Sequence, residues 1–224
     1  MSAIPAARAA RPIPEQHQGS ELWARAFAAL YDRLMAGGEE AGMADIRREL
    51  VGQAAGRVVE IGAGTGLNAD FYAADADVLL TEPDVHLARR LQQRVAERHE
   101  VLHAHAEALP VAVGSVDAIV STLVLCTVPD PVMVLDEAAR VLRPGGRLLF
   151  AEHVHAGVGS RLGRWQDRLE RPWKAFARGC RCNRHTADVL REHPAFEIAR
   201  LERTEWPKAS LLVRPLIVGQ AVRV

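Results

Sequence analysis

The sequence predicts an α/β fold, a mostly parallel sheet doubly wound with helices on both faces. Three observations predict it. From Arg57 onward, short runs of β-branched residues and leucine alternate with polar, amphipathic stretches. The first run breaks into three glycines in VVEIGAGTG, Val58 to Gly66, a loop that lets a ligand press against bare backbone. The stretch PVMVLDEAARVL starts at Pro131 behind Asp130 and ends at RPGG, a helix with matching start and stop signals. Sheets of this kind bind ligands beyond the carboxyl ends of their strands, so function is sought in the residues that follow each strand.

In chain order, residues 1–20 read as a disordered tail of small residues and arginines without an apolar core. A helical cap is expected over 21–55. In it ELWARAFAALYDRLMAG puts Trp23, Phe27 and Tyr31 on one helical face, with core packing expected for the first two, and a second helix runs from about Glu39 to Leu50. The core over 56–155 carries five strands, RVVEIG, VLLTE, EVLHA, VDAIVSTLVL and RLLFAEHV. Over 156–224, Gly159 to His193 reads as a helical insertion, and FEIARLERTEW and VRPLIVGQAVRV as two final strands, making seven. No repeat or linker divides residues 21–224, so a single domain is expected.

The composition is that of a soluble globular protein, 49% hydrophobic and 25% charged among 224 residues. Its 28 basic and 28 acidic side chains cancel, which argues against a general nucleic-acid or anionic-membrane binder. Three cysteines, an odd number without a secretory signal, point to a reducing cytoplasm. With no apolar span of membrane length, no membrane anchor is expected.

The glycines themselves narrow the ligand. Gly62, Gly64 and Gly66 run G-x-G-x-G, and Leu67 stands where a dinucleotide fingerprint has its third glycine. No lysine follows, so a Walker-type phosphate loop is excluded. Twenty residues after Gly62, the second strand ends in Glu82 of TEPD, where a carboxylate can accept hydrogen bonds from both hydroxyls of a ribose.

EIGAGTG, TEPD, AEALP, SVDAIVSTLVL and RVLRPGGRLLF together resemble the class I S-adenosylmethionine (SAM) dependent methyltransferases, over about Val58 to Glu152. The resemblance implies a Rossmann-like sheet and a SAM site. Glu60, Gly62, Ala63, Gly64, Thr65, Gly66 and Asn68 would surround the methionine part, with Glu60 near its ammonium. Glu82 would bind the ribose hydroxyls and Pro83 would flank the adenine. Ala106 and Glu107 lie where the family contacts the adenine edge, although His105 replaces the usual acidic residue before them. Thr122 and Leu123 would lie beneath the sulfonium, and Tyr31 would join the site from the preceding helix.

The second half resembles a narrower group. STLVLCTVPDP, LLFAEHV, WQ with Trp173 eight residues after Trp165, Gly179–Cys180 with Arg184, and VRPLIVGQAV are similar to the methyltransferase-like thiol S-methyltransferases, over Phe27 to Arg223. Animal members of that group begin with an apolar anchor, which is absent from this polar start. The resemblance implies methyl transfer to a small-molecule acceptor, a thiol sulfur, by in-line displacement. The alternatives are an O-, N- or C-methyltransferase of a quinone, phenol or amine, and a nonenzymatic SAM-binding scaffold.

Methyl transfer to sulfur asks mainly for alignment and exclusion of water. His153 is the candidate to accept or orient the acceptor's proton; its other reading is a hydrogen bond to a neighbouring loop. Cys126 is expected to line the acceptor pocket without acting as a nucleophile. Trp165 and Trp173 either cover the pocket or pack on the sheet. The arginines from Arg161 to Arg184 either attract anionic substrates or form a solvated face. No metal is expected, because the C-x-C spacing of Cys180 and Cys182, with His185 and His193, is not the usual zinc pattern; binding of a soft metalloid by the three cysteines is a remote variant.

Overall fold

The computed structural model describes residues 20–206 and 208–224. The expected disordered tail therefore lies outside the described residues, apart from Ser20.

A seven-stranded sheet has the order β3-β2-β1-β4-β5-β7-β6. Its strands are β1 (Arg57–Ile61), β2 (Asp77–Thr81), β3 (Glu100–Leu102), β4 (Val116–Thr122), β5 (Leu142–His153), β6 (Phe196–Glu205) and β7 (Pro215–Arg223). The first five are mutually parallel, and β7 runs antiparallel to both β5 and β6. The helices are α1 (Glu21–Gly38), α2 (Ala44–Val51), α3 (Val85–Val95), α4 (Pro131–Val141), α5 (Arg161–Phe176) and α6 (Thr186–Glu192). This is the Rossmann-like arrangement expected from the sequence.

Side chains alternate between the two faces of each strand, and both faces are covered. Val59, Ile119, Leu148 and Phe150 join a core with Leu135 and Ala138 of α4 and Leu190 of α6. Their strand neighbours Val58, Val120, Leu149 and Ala151 join a second core with Leu50 of α2 and Leu91 and Val95 of α3. Burial on both faces is why these strands read as continuous apolar runs.

Local signals set the helix starts. The Asp130 carboxylate accepts from the Val132 N–H at 2.9 Å ahead of α4, with Pro131 in its first turn. Asp84 does the same for α3, accepting from His86 and Leu87. The cap region is a helix, a wide π-helical turn over Glu39–Met43 and a second helix, with Gly42 at φ 137° in the kink. From within the glycine loop onward, residues 64–70 are a chain of turns rather than a helix. Among the described residues, no helix is long and apolar enough to cross a membrane.

Candidate functional site

The strand order reverses between β1 and β4, and a cavity of about 520 Å³ opens beside the carboxyl ends of these strands, the place where open α/β sheets bind ligands. Helix α1, the glycine loop, the end of β2, the loop after β4, and α5 with the segments after it form the walls.

One end is built largely of backbone. Gly64 sits at φ 61°, and a Cβ added there would have the Tyr31 ring as its nearest neighbour, 3.8 Å away. Its N–H donates to Glu82 Oε2 at 2.8 Å, while the Asp84 N–H donates to Glu82 Oε1, also at 2.8 Å. Each oxygen keeps a second lone pair, and the carboxylate lines the cavity with Pro83 and Ala106 beside it. Burial pushes the Glu82 carboxyl up to about 7, against the two N–H groups that hold it down. Tyr31 lines the opposite wall, and burial pushes its phenol up to about 12.

The other two glycines serve packing. A Cβ on Gly62 would meet Val124 Cγ2 at 2.8 Å, and one on Gly66 would meet Leu91 Cδ1 of α3 at 2.8 Å. Thr65 donates to Asp32 Oδ1 at 2.5 Å, and Arg94 donates to Asp32 Oδ2 at 2.6 Å, which holds α1 over the loop. Ala63 anchors the loop sideways through its N–H to the Thr81 carbonyl at 2.9 Å.

Behind the wall runs a buried polar chain. Arg47 donates to Asn68 Oδ1 at 2.8 Å, Asn68 Nδ2 donates to Glu60 Oε1 at 2.9 Å and to Thr122 Oγ1 at 3.1 Å, and the Tyr72 hydroxyl donates to Glu60 Oε2 at 2.6 Å. Burial pushes Glu60 up to about 7, partly offset by the Tyr72 hydrogen bond. So Tyr31, Gly62, Gly64, Glu82, Pro83, Ala106, Leu123, Cys126 and His153 line the cavity, whereas Glu60, Ala63, Thr65, Gly66, Asn68, Glu107 and Thr122 stand behind its surface. Glu107 is buried, with neither carboxylate oxygen finding a partner.

The other end is sulfur-rich. Leu123, at φ 61°, turns the chain out of β4, its N–H donating to the Ala151 carbonyl at 2.9 Å. A non-glycine residue in this conformation marks a turn that its surroundings impose. Glu152, fully buried, enforces it by accepting from Ser121 Oγ at 2.7 Å and the Val124 N–H at 3.0 Å. The turn carries Cys126 toward His153 of β5 and Cys180 of the link between α5 and α6. His153 Nε2 lies 2.9 Å from Cys180 Sγ, which also receives the Trp173 indole N–H at 3.3 Å. Burial opposes charge on His153, while Cys126 and the Glu152 carboxylate beside it together raise its pKa; burial pushes the Cys126 thiol well above its ordinary range.

The two tryptophans divide. Trp173 lines the cavity, while Trp165 is 48% exposed beneath Arg168. The residues weighed for zinc do not converge: Cys182 lies against the Gln166 carbonyl and His193 against Asp136. Phe27, expected in the core, lines the cavity instead, because α1 lies across the opening and not on the sheet. Asp84, Arg178 and Trp206 also line it without having been singled out from sequence. Arg178 donates to Asp84, tying the α5–α6 link to the end of β2. Asp84 had a legible cue in its capping position; the other two come from distant segments that only the fold brings near.

A methyltransferase-domain family model matches residues 59–150. Human thiol S-methyltransferase TMT1B is 38% identical over 191 residues, covering 79% of this chain and 78% of that protein. Human thiol S-methyltransferase TMT1A is 36% identical, with 74% and 70% covered. Among solved structures, a SAM-dependent methyltransferase from Thermotoga maritima, described as a possible histamine N-methyltransferase, aligns at TM-score 0.65 and 22% identity, over 91% of this chain and 99% of that one. A geranyl diphosphate C-methyltransferase from Streptomyces coelicolor, solved with S-adenosyl-L-homocysteine, aligns at TM-score 0.62 and 15% identity, over 83% and 76%. At such identities these last two are shared folds.

Proposed function

The chain belongs to the SAM-dependent methyltransferases, in the group that contains the thiol S-methyltransferases, and from that premise we propose that it methylates the sulfur of a small thiol. The observation that carries this reading is the cavity with two chemically distinct ends, a ribose-type carboxylate cradle at Gly64 and Glu82 and a sulfur–imidazole cluster at Cys126, His153 and Cys180.

The donor end fits SAM on its own chemistry. Gly64 leaves open the space a Cβ would take, and Glu82 is oriented by two backbone N–H groups with lone pairs to spare. In this reading Glu82 binds the ribose hydroxyls, Pro83 and Ala106 flank the adenine, and Tyr31, Gly62 and Leu123 enclose the methionine part. Glu60, Asn68 and Thr122 set the shape of the wall from behind. Bound SAM supplies a methyl group already activated on a sulfonium.

The chain's own task is alignment and dryness. Trp173, Phe27 and Trp206 present apolar surface to the cavity, which favours a reaction in which the sulfonium and thiolate charges both disappear. A protonated His153 favours the ionised form of an acceptor thiol. Three free cysteines support work in a reducing cytoplasm.

The test is turnover with methyl-labelled SAM against a panel of small thiols, phenols, amines and quinols, each product identified by mass spectrometry. Labelled thioether from the thiols, with little product from the rest, is the expected result. Preferential labelling of a phenol, amine or quinol would overturn the acceptor assignment and leave the enzyme class intact.

A further inference from the structure

We propose that Cys126, His153 and Cys180 bind a zinc ion in the cavity wall, leaving its fourth position open for the acceptor's sulfur; the metal site stands on geometry alone, and its use on an acceptor rests on the thiol reading. The sequence, read through spacing within one segment, gave no metal site. This one is assembled from three separate segments.

One ligand atom from each residue lies within 4.8 Å of the other two, and all three residues line the cavity. Zinc bonds of about 2.0 to 2.3 Å space tetrahedral ligands roughly 3.3 to 3.8 Å apart, so closing around an ion asks for shifts on the order of an ångström. Two thiolates and an imidazole are a donor set that zinc favours, and catalytic zinc sites keep three protein ligands and one open position. Every element holding the ligands is braced. Glu152 fixes the turn before Cys126, His153 is 2% exposed in the register of β5 with β7, and the Trp173 indole donates to Cys180 Sγ. That last contact is the kind of outer support that orients metal ligands and tempers a thiolate. His153 faces the Cys180 sulfur with Nε2, the nitrogen that would ligate the ion.

Zinc binding releases the two cysteine protons to solvent. An acceptor thiol that takes the open position loses its S–H proton to water and remains as a thiolate. One lone pair of that sulfur forms the new S–CH3 bond as the methyl–sulfonium bond breaks, whose electron pair stays on the departing S-adenosylhomocysteine. The neutral thioether is a weak zinc ligand and leaves.

The reduced, full-length protein is equilibrated with zinc sulfate alone, freed of excess ion and assayed for zinc per chain; cobalt substitution reads thiolate ligation by its charge-transfer absorption. The expected result is one zinc per chain in the wild type and in Cys182→Ser, and less than a tenth of that in Cys126→Ser, His153→Ala and Cys180→Ser. Calorimetric SAM binding by each variant checks its fold, and for any that fails the wild-type cobalt spectrum decides. Absence of thiolate absorption, or zinc retained in the three variants, overturns the site. Chelation should lower thiol methylation at least tenfold and restored zinc recover it, with SAM affinity constant. Methylation indifferent to zinc removal overturns the activating role, while zinc bound as expected in an enzyme that prefers phenols faults the thiol reading instead.

Discussion

The Gly64 N–H donates to Glu82 Oε2 at 2.8 Å, so the glycine loop after β1 and the acid at the end of β2 form one unit. The loop thereby orients the carboxylate, and the carboxylate pins the loop in its left-handed turn.

Removing that carboxylate should weaken SAM binding. Glu82→Ala is expected to cost about 1 to 3 kcal/mol of affinity, the usual worth of charge-assisted hydrogen bonds. Glu82→Gln should do no better, because both oxygens accept backbone N–H groups and an amide NH2 would face one of them. Calorimetric titration checks both, and a Gln variant with wild-type affinity would contradict the proposed geometry.

The pH dependence follows from burial. Glu82 is held at about 7 in the ligand-free protein, above the ordinary carboxylate value of 4.5. The folded state therefore binds a proton that the unfolded state releases, and this group's contribution to stability declines as pH rises from 4.5 to about 7. SAM, if held by the ionised form, should do the reverse and bind more tightly as pH rises through about 7, weakening by up to about tenfold per unit below it. An affinity flat from pH 6 to 8 would count against Glu82 as the ribose ligand.

The glycines should separate binding from packing. Gly64→Val is expected to abolish SAM binding, with left-handed strain on the order of 1 to 2 kcal/mol. Gly66→Val meets Leu91 as well and should add roughly 1 to 3 kcal/mol of overpacking, lowering the melting temperature further. Equal melting losses in the two variants would contradict the distinction.

The polar chain behind the wall gives a stability prediction. Tyr72→Phe removes the donor to Glu60 Oε2 and should destabilise the protein by about 1 to 3 kcal/mol. Glu60 sits near 7, so the loss should be largest above that pH, where the carboxylate is ionised. Denaturant midpoints at pH 6 and 8 measure it, and an equal loss at both would contradict the account.

Much of this was legible in the sequence, for identifiable reasons. β1, β4 and β5 are buried on both faces, so their apolar runs are local facts. Asp130 with Pro131, and Glu82 at a fixed interval from Gly62, are signals within one short stretch. The apolar and sulfur-rich end of the cavity was legible only in part, through Cys126, His153 and Trp173. Phe27 carries the same periodicity whether α1 covers a cavity or packs on a core. Cys180 meets His153 only because β5 ends beside the link that follows α5. Nor does the spacing of the glycines show that an added Cβ would meet Val124 at Gly62 and Leu91 at Gly66 but open space at Gly64.

The acceptor end can be tested apart from the donor end. His153→Ala should retain SAM affinity while turnover on a thiol falls at least roughly tenfold. Unchanged turnover across the pH range would remove His153 from the reaction.

The most direct test of the central claim is a matched pair, thiophenol and phenol, assayed at saturating SAM with the methylated products identified by mass. The two share one ring and differ in the acceptor atom and, with it, in acidity. Methyl phenyl sulfide from the thiol, with no comparable product from phenol, is the expected result. Anisole formed at an equal or greater rate would contradict it.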